Sequence, residues 1–286
     1  MKNKFLSGAF FGKLFVRIYL IIVLVIIIFP LLWMFSVSFR RTGEVTLSRF
    51  LIIPVNIEIG NYAAVIKNAV ISGYSVPILF KNSIIVTASS ILITLIIATI
   101  AGYAFAKFRF KGREGIFYFL LMGMMIPMQA LLIPIFIFTK YTGLLNTYFS
   151  VILPYIAFGL PISVFIMRGF FIGINNHMIE AARIDGASEF GIFLRIALPL
   201  ARPAMATVII FLFLQNWNEF MLALVLILKK KLYTIPIGLV KTIAEYVTPW
   251  GQYSALLFMT LIPVIIVYGI FQNWFIKGLT AGSIKG

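Results

Sequence analysis

The chain has 286 residues, 62% of them hydrophobic and 11% charged, with a formal net charge of +16 and no cysteine. A soluble domain of this make-up would expose far too much apolar surface, so the composition selects a membrane protein. The absent cysteines exclude a disulfide framework and thiol chemistry, and the lone His177 cannot build a histidine metal site. The basic residues flank apolar runs, which assigns them to lipid headgroups and membrane topology rather than to nucleic acid.

Residues 1–13 are short and basic, with Lys2, Lys4 and Lys13. The uncharged run Ile18–Val37 is long enough, at about 1.5 Å per residue, to cross about 30 Å of hydrocarbon. It exceeds the apolar region of a cleaved leader, about 7–15 residues, and no Ala-x-Ala site follows, so it reads as a retained first span with Pro30 as a kink. Residues 38–81 hold Arg40, Arg41, Glu44, Arg49 and Asn61 and no spanning run. They read as an external segment with a helix along the interface.

The second span is expected over Ser83–Phe105, where Ala88, Ser89, Ser90, Ala98, Ala101 and Gly102 allow close helix packing on more than one face. The loop 107–114 carries Lys107, Arg109, Lys111 and Arg113, the clearest positive-inside signal in the chain. The third span, Gly115–Phe138, contains Pro127, Gln129 and Pro134; the fourth, Tyr148–Met167, contains Pro154, Gly159 and Pro161. Both read as kinked helices, with bending that shapes a pathway as the sharper alternative.

Residues 180–203 form a polar interruption with Glu180, Arg183, Asp185 and Glu189, costly in hydrocarbon and therefore placed outside it. Asn175 or Asn176 can cap a helix that has Glu180 in or near its first turn, and Gly186 stops it. Ser188 can cap a second helix running on to Pro199. The fifth span is expected over Ala204–Leu228 as one helix. At 100° per residue Gln215, Asn218 and Glu219 then share a face and Asn216 points elsewhere. A charged residue in such a run is a candidate for the solute pathway, and a polar cluster that bonds helices together is the plainer alternative. Residues 229–252 are external, beginning with Lys229, Lys230 and Lys231; the sixth span is Leu256–Phe275.

Glu180-Ala181-Ala182, Asp185-Gly186-Ala187, Phe193 and Leu198-Pro199 resemble the EAA loop of bacterial ABC importer permeases. The chain departs just upstream, with Asn175 and His177 where that family usually has a proline and an acidic residue. Phe29–Met34, Asn82-Ser83, Phe108–Gly112, Trp217-Asn218-Glu219-Phe220, Trp250-Gly251 and Gly278-Leu279-Thr280-Ala281-Gly282 are similar to the MalG-type permease of carbohydrate importers.

The resemblance implies an all-α membrane protein of the ABC importer type I permease fold, with six transmembrane helices and both termini cytoplasmic. It implies residues 1–81 as tail, first span and external segment, 82–276 as permease core with the cytoplasmic loop 175–203, and 277–286 as a cytoplasmic tail. Glu180, Ala181, Ala182, Asp185, Gly186 and Ala187 would couple to an ATPase, with Asp185 bonding backbone amides of the turn. Gln215, Asn218 and Glu219 are the pathway candidates. The implied partners are a homologous second permease in a heterodimer, a dimeric cytoplasmic ATPase, an extracellular solute-binding protein, a sugar and membrane lipid. The chain would bind no cofactor and no metal, and ATP would be hydrolysed by the partner subunits, since no Gly-x-x-x-x-Gly-Lys-Ser/Thr loop is present.

Three rivals compete. A permease of the same kind for a non-sugar solute is the nearest. A self-sufficient secondary transporter needs coupling acids at the midplane, and only Glu219 fits. A membrane enzyme needs a nucleophile and base or a metal cluster, and with no Cys, one His and 8 acidic residues nothing assembles.

Overall fold

The computed structural model describes residues 2–47, 53–54, 56–68, 70–71, 74–243 and 249–281. Arg49 and residues 282–286 of the tail lie outside the described residues. The helices are α1 (Lys2–Ser38), α2 (Thr42–Leu47), α3 (Gly60–Ala63), α4 (Val76–Lys107), α5 (Arg113–Met122), α6 (Leu132–Tyr141), α7 (Phe149–Gly173), α8 (Asn176–Ile184), α9 (Glu189–Ile192), α10 (Leu198–Leu200), α11 (Arg202–Trp217), α12 (Met221–Leu226), α13 (Ile235–Ile243) and α14 (Trp250–Ala281). A two-residue strand pair, β1 (Val70–Ile71) with β2 (Tyr74–Ser75), runs antiparallel just before α4.

Four stretches are long and apolar enough to cross a membrane: Phe10–Ser38, Val76–Lys107, Phe149–Gly173 and Trp250–Trp274. Two bent pairs add to these, Arg113–Met125 with Met128–Tyr141 at 88° and Glu189–Leu200 with Arg202–Trp217 at 69°. The apolar side chains of α1 from Phe10 to Leu32 are exposed almost without interruption, which suits hydrocarbon and not water.

The chain divides into two units, residues 1–75 with 241–261, and residues 76–240 with 262–286. In the first, Asn61 closes the end of α1. Its Nδ2 donates to the carbonyls of Ser38 at 2.9 Å and Arg40 at 2.8 Å, which lie past the helical ladder. Ser38 Oγ and Tyr62 Oη are 2.8 Å apart, and Phe35 packs on Phe258 of α14 with centroids 4.8 Å apart. A Cβ at Gly251 would strike the Arg40 carbonyl and the Asn61 amide, so only glycine fits there.

The second unit is built on α4, α7 and α11. Leu95, Ala98, Tyr103, Val164, Met167, Phe171, Ala204, Val208 and Leu212 form its core. A Cβ at Gly102 would come within 2.7 Å of Met167 Cβ and 2.9 Å of the Arg168 nitrogen, so α4 and α7 touch nearly backbone to backbone. The helix α4 packs against both α7 and α11, burying Asn82, Val86, Ser90, Ala98, Thr99 and Tyr103 around much of its circumference, while Ile84, Leu92, Ile96 and Ile100 are exposed. The expectation of packing on more than one face is borne out.

Two expectations change. The third span is not a kinked helix but a break: Ile126 and Pro127 are extended, because a residue before proline is pushed out of the helical region. Pro154 and Pro161, by contrast, sit inside the unbroken α7. The fifth span stops at Trp217 and restarts at Met221.

Candidate functional site

The polar interruption folds as a hairpin of two short helical arms. Asn175 is the N-cap of α8, its Oδ1 accepting from the His177 N–H at 2.9 Å. At the other end the Gly186 N–H donates to the Arg183 carbonyl at 3.0 Å and the Ala187 N–H to the Ala182 carbonyl at 2.9 Å. With Gly186 at φ +81° this is a Schellman closure. Ser188 Oγ accepts from the Gly191 N–H at 3.1 Å and caps α9, whose path continues through a wider turn, Phe193–Ala197, into α10. The Arg183 guanidinium clasps the Glu189 carboxylate across the turn, a bond that raises the pKa of the guanidinium.

Glu180 lies beyond the first turn of α8, exposed, with its Oε2 3.4 Å from His177 Nδ1. Ala181, Asp185, Gly186 and Ala187 are also exposed and Ala182 is half-buried. Asp185 serves the turn through its backbone N–H, bonded to the Ala181 carbonyl at 3.0 Å, and not through its carboxylate. The outer surface of the hairpin sets three apolar side chains, Met178 at 47% exposed, Ile184 at 85% and Phe190 at 70%, among the exposed charges of Glu180, Arg183, Asp185 and Glu189. Beside this open surface, Ile179 and Ile192 are buried and hold the arms down.

The second group sits at the break between α11 and α12. Glu219 is 9% exposed and three donors surround its carboxylate. The Leu222 N–H gives to Oε1 at 2.8 Å, the Ala223 N–H to Oε2 at 3.1 Å, and Tyr155 Oη of α7 to Oε2 at 2.7 Å. Glu219 thus caps the first amides of α12 and fastens the break to α7. Gln215 and Asn218 are exposed, and Asn218 Nδ2 donates to the Leu214 carbonyl at 2.8 Å, ending α11. The three candidates therefore do not share one helical face, because the helix stops before Asn218. Asn216, set aside by the helical-face reading, is buried.

A family model described as the binding-protein-dependent transport system inner membrane component matches residues 94–281, a stretch that contains both groups. The chain belongs to this family. The AraQ permease protein of the arabinooligosaccharides transport system of Halalkalibacterium halodurans is 36% identical over 267 residues, covering 91% of this chain and 92% of that protein. The MalG permease protein of the trehalose/maltose transport system of Thermococcus litoralis is 33% identical, covering 93% and 94%. A crystal structure of a bacterial ABC transporter involved in the import of the acidic polysaccharide alginate contains a chain that matches with a TM-score of 0.81 and 27% identity, over 94% of this chain and 98% of that one.

The MalG-type resemblance read from the sequence is borne out, and with it an all-helical ABC importer permease fold. The family is a transport component and not an enzyme, a multi-pass constituent of the bacterial plasma membrane that carries no cofactor of its own.

The permease also uses residues that sequence reasoning passed over. Asn82 Nδ2 donates to the carbonyls of Lys231 at 3.0 Å and Tyr233 at 2.9 Å, while its Oδ1 accepts from Tyr148 Oη at 2.7 Å. Ser83 Oγ accepts from the Ile235 N–H at 2.8 Å. Asn146, at φ +62°, accepts from the Leu228 and Lys229 amides. These bonds pin residues 228–235 to α4 and to the loop before α7. The only signal in the sequence was the Asn82-Ser83 pair, met as a fragment of the resemblance and without a role.

Proposed function

We propose that the chain crosses the membrane six times with both termini cytoplasmic, and that it forms half of the solute pathway of an ATP-driven sugar importer. The first, second, fourth and sixth crossings are the four long helices. The third is the bent pair around Pro127, and the fifth is α11 with α12 across the Glu219 break. The hairpin 175–203 then lies in the cytoplasm on the side of the basic loop 107–114, which supports this orientation. Residues 1–81, 82–276 and 277–286 serve as leading segment, permease core and tail.

The observation that carries the reading is the hairpin. It is capped at both ends of α8, closed by its own ion pair, and presents Met178, Ile184 and Phe190 outward. Large apolar side chains held exposed among charges on a self-closed projection suit a docking surface. Glu180, Ala181, Ala182, Asp185, Gly186 and Ala187 form its tip and seat in a dimeric ATPase, which hydrolyses the ATP. The second half of the pathway comes from a homologous permease in a heterodimer, and an extracellular binding protein delivers the solute. Relatives named for arabinooligosaccharides and for trehalose and maltose support a sugar as that solute. Lipid covers the exposed apolar helices. Gln215 and Asn218, exposed beside the break, face the solute, and Glu219 holds the break in shape.

Purification of the tagged chain from its native membranes in mild detergent, with bound proteins identified by mass, tests this. A second permease and an ATPase are expected. The chain recovered alone, under conditions that keep a comparable importer whole, would contradict the reading.

A further inference from the structure

The last turn of α4 holds both arms of the hairpin. Lys107 Nζ donates to the Ile174 carbonyl at 2.7 Å and to Asn176 Oδ1 at 2.7 Å. Ile174 ends α7 and Asn176 begins α8, so one ammonium spans the link between them. It also meets the carbonyl end of the α7 dipole, where a cation is favoured. Four residues earlier on the same face lies Tyr103. Its ring is 5.3 Å from the Phe171 ring, 5.7 Å from that of Phe108 and 5.1 Å from that of Phe193, which belongs to the returning arm. The Tyr103 hydroxyl is buried with no hydrogen-bond partner among the described residues, so its ring does the gripping.

Between these grips the hairpin is closed on itself by caps, turn bonds and the Arg183–Glu189 pair. A body of that kind, held at both arms, cannot turn without carrying the end of α4. Nor can α4 slip along α7, given the backbone approach at Gly102. Arg168, next to that approach, donates from Nη2 to both Glu114 oxygens at 2.7 and 2.8 Å and lies 3.9 Å over the Phe117 ring, which brings α5 into the same block.

We infer that the last turn of α4 is the receiver of hairpin movement, with Lys107 and Tyr103 as positioning residues that carry ATPase motion into the membrane helices. The inference rests on the reading of the hairpin as the ATPase seat. Lys107 and Tyr103 act through the hairpin residues they contact.

The test uses the full complex reconstituted with its second permease, ATPase and binding protein, reading ATP hydrolysed, sugar imported and ATPase retained. Lys107→Met and Tyr103→Ala should retain the ATPase yet import about fivefold less sugar per ATP, within the range by which such networks modulate coupling. Lys107→Arg and Tyr103→Phe should stay near the unaltered ratio, the first keeping a cation and the second the ring. The chain has no cysteine, so Lys107→Cys with Asn176→Cys can be bridged by a short thiol cross-linker. The unbridged pair should be uncoupled and bridging should restore import per ATP, a rescue that a general folding defect would not show. An unchanged ratio in Lys107→Met, or a bridged pair that stays inactive, overturns the inference while leaving the docking reading intact. An unaltered chain that retains no ATPase removes both.

Discussion

The permease core breaks its helices beside an acidic residue twice, at Asp185–Ser188 and at Asn218–Phe220, and holds the two breaks by different means. At the first, every bond that closes the turn joins residues at most six apart: Asn175 with His177, Arg183 with Gly186 and with Glu189, Ser188 with Gly191. The surface is left open. At the second, the carboxylate of Glu219 caps the next helix and also reaches Tyr155, 64 residues away, and it is buried. The turn of the first break is closed by near neighbours alone. The second is a joint that adds to its two local bonds a third from another helix.

The comparison can be broken at four points. Glu219→Ala should have the largest effect. It strips three donors of their acceptor in a buried site, at a cost of about 3 kcal/mol or more. A large fall in the melting temperature of the detergent-purified chain is expected, and an unchanged melt would show that the joint is not held this way. Tyr155→Phe comes next, removing one charge-assisted bond worth about 1.5–3 kcal/mol, again as a global loss of stability.

Gly186→Val should leave that global melt almost unmoved. A left-handed conformation costs an ordinary residue about 1–2 kcal/mol, more for a β-branched one, so the hairpin alone should deform. The expected readout is a roughly tenfold weaker association with the ATPase, the equivalent of about 1.4 kcal/mol. A melt lowered as far as that of Glu219→Ala would erase the distinction between the breaks. Asn175→Ala is the mildest, about 1 kcal/mol from a lost cap, and Asn175→Ser should recover most of it.

The same contrast explains what could be read from the sequence. Caps and glycine turns are written in neighbouring residues, so the limits of α8, the turn at Gly186 and the second arm were legible from Asn175, Gly186, Ser188 and Pro199. The joint at Glu219 was not. Its window is apolar enough to read as continuous helix, and nothing within four residues announces Tyr155. The Pro127 break sits between, since the proline was visible but the difference between a kink and an 88° bend depends on what packs around it. Proline itself does not decide, as Pro154 and Pro161 stay within one helix. Asn82 was opaque for the reason that hid Tyr155: its partners are Tyr148, Lys231 and Tyr233, and they meet only once α4, α7 and the segment after α12 are assembled.

The central claim is that the exposed tip of the hairpin seats in the ATPase. Ile184 is 85% exposed at that tip, and the chain has no cysteine of its own, so Ile184→Cys places a single thiol there. Leu92→Cys, on α4 among other exposed apolar residues and 59% exposed, is the control. Treated with a short thiol-to-amine cross-linker in native membranes, Ile184→Cys should give one adduct with the mass of this chain plus an ATPase subunit, and Leu92→Cys should give none. No ATPase adduct at position 184 in an intact, transporting complex would contradict the account.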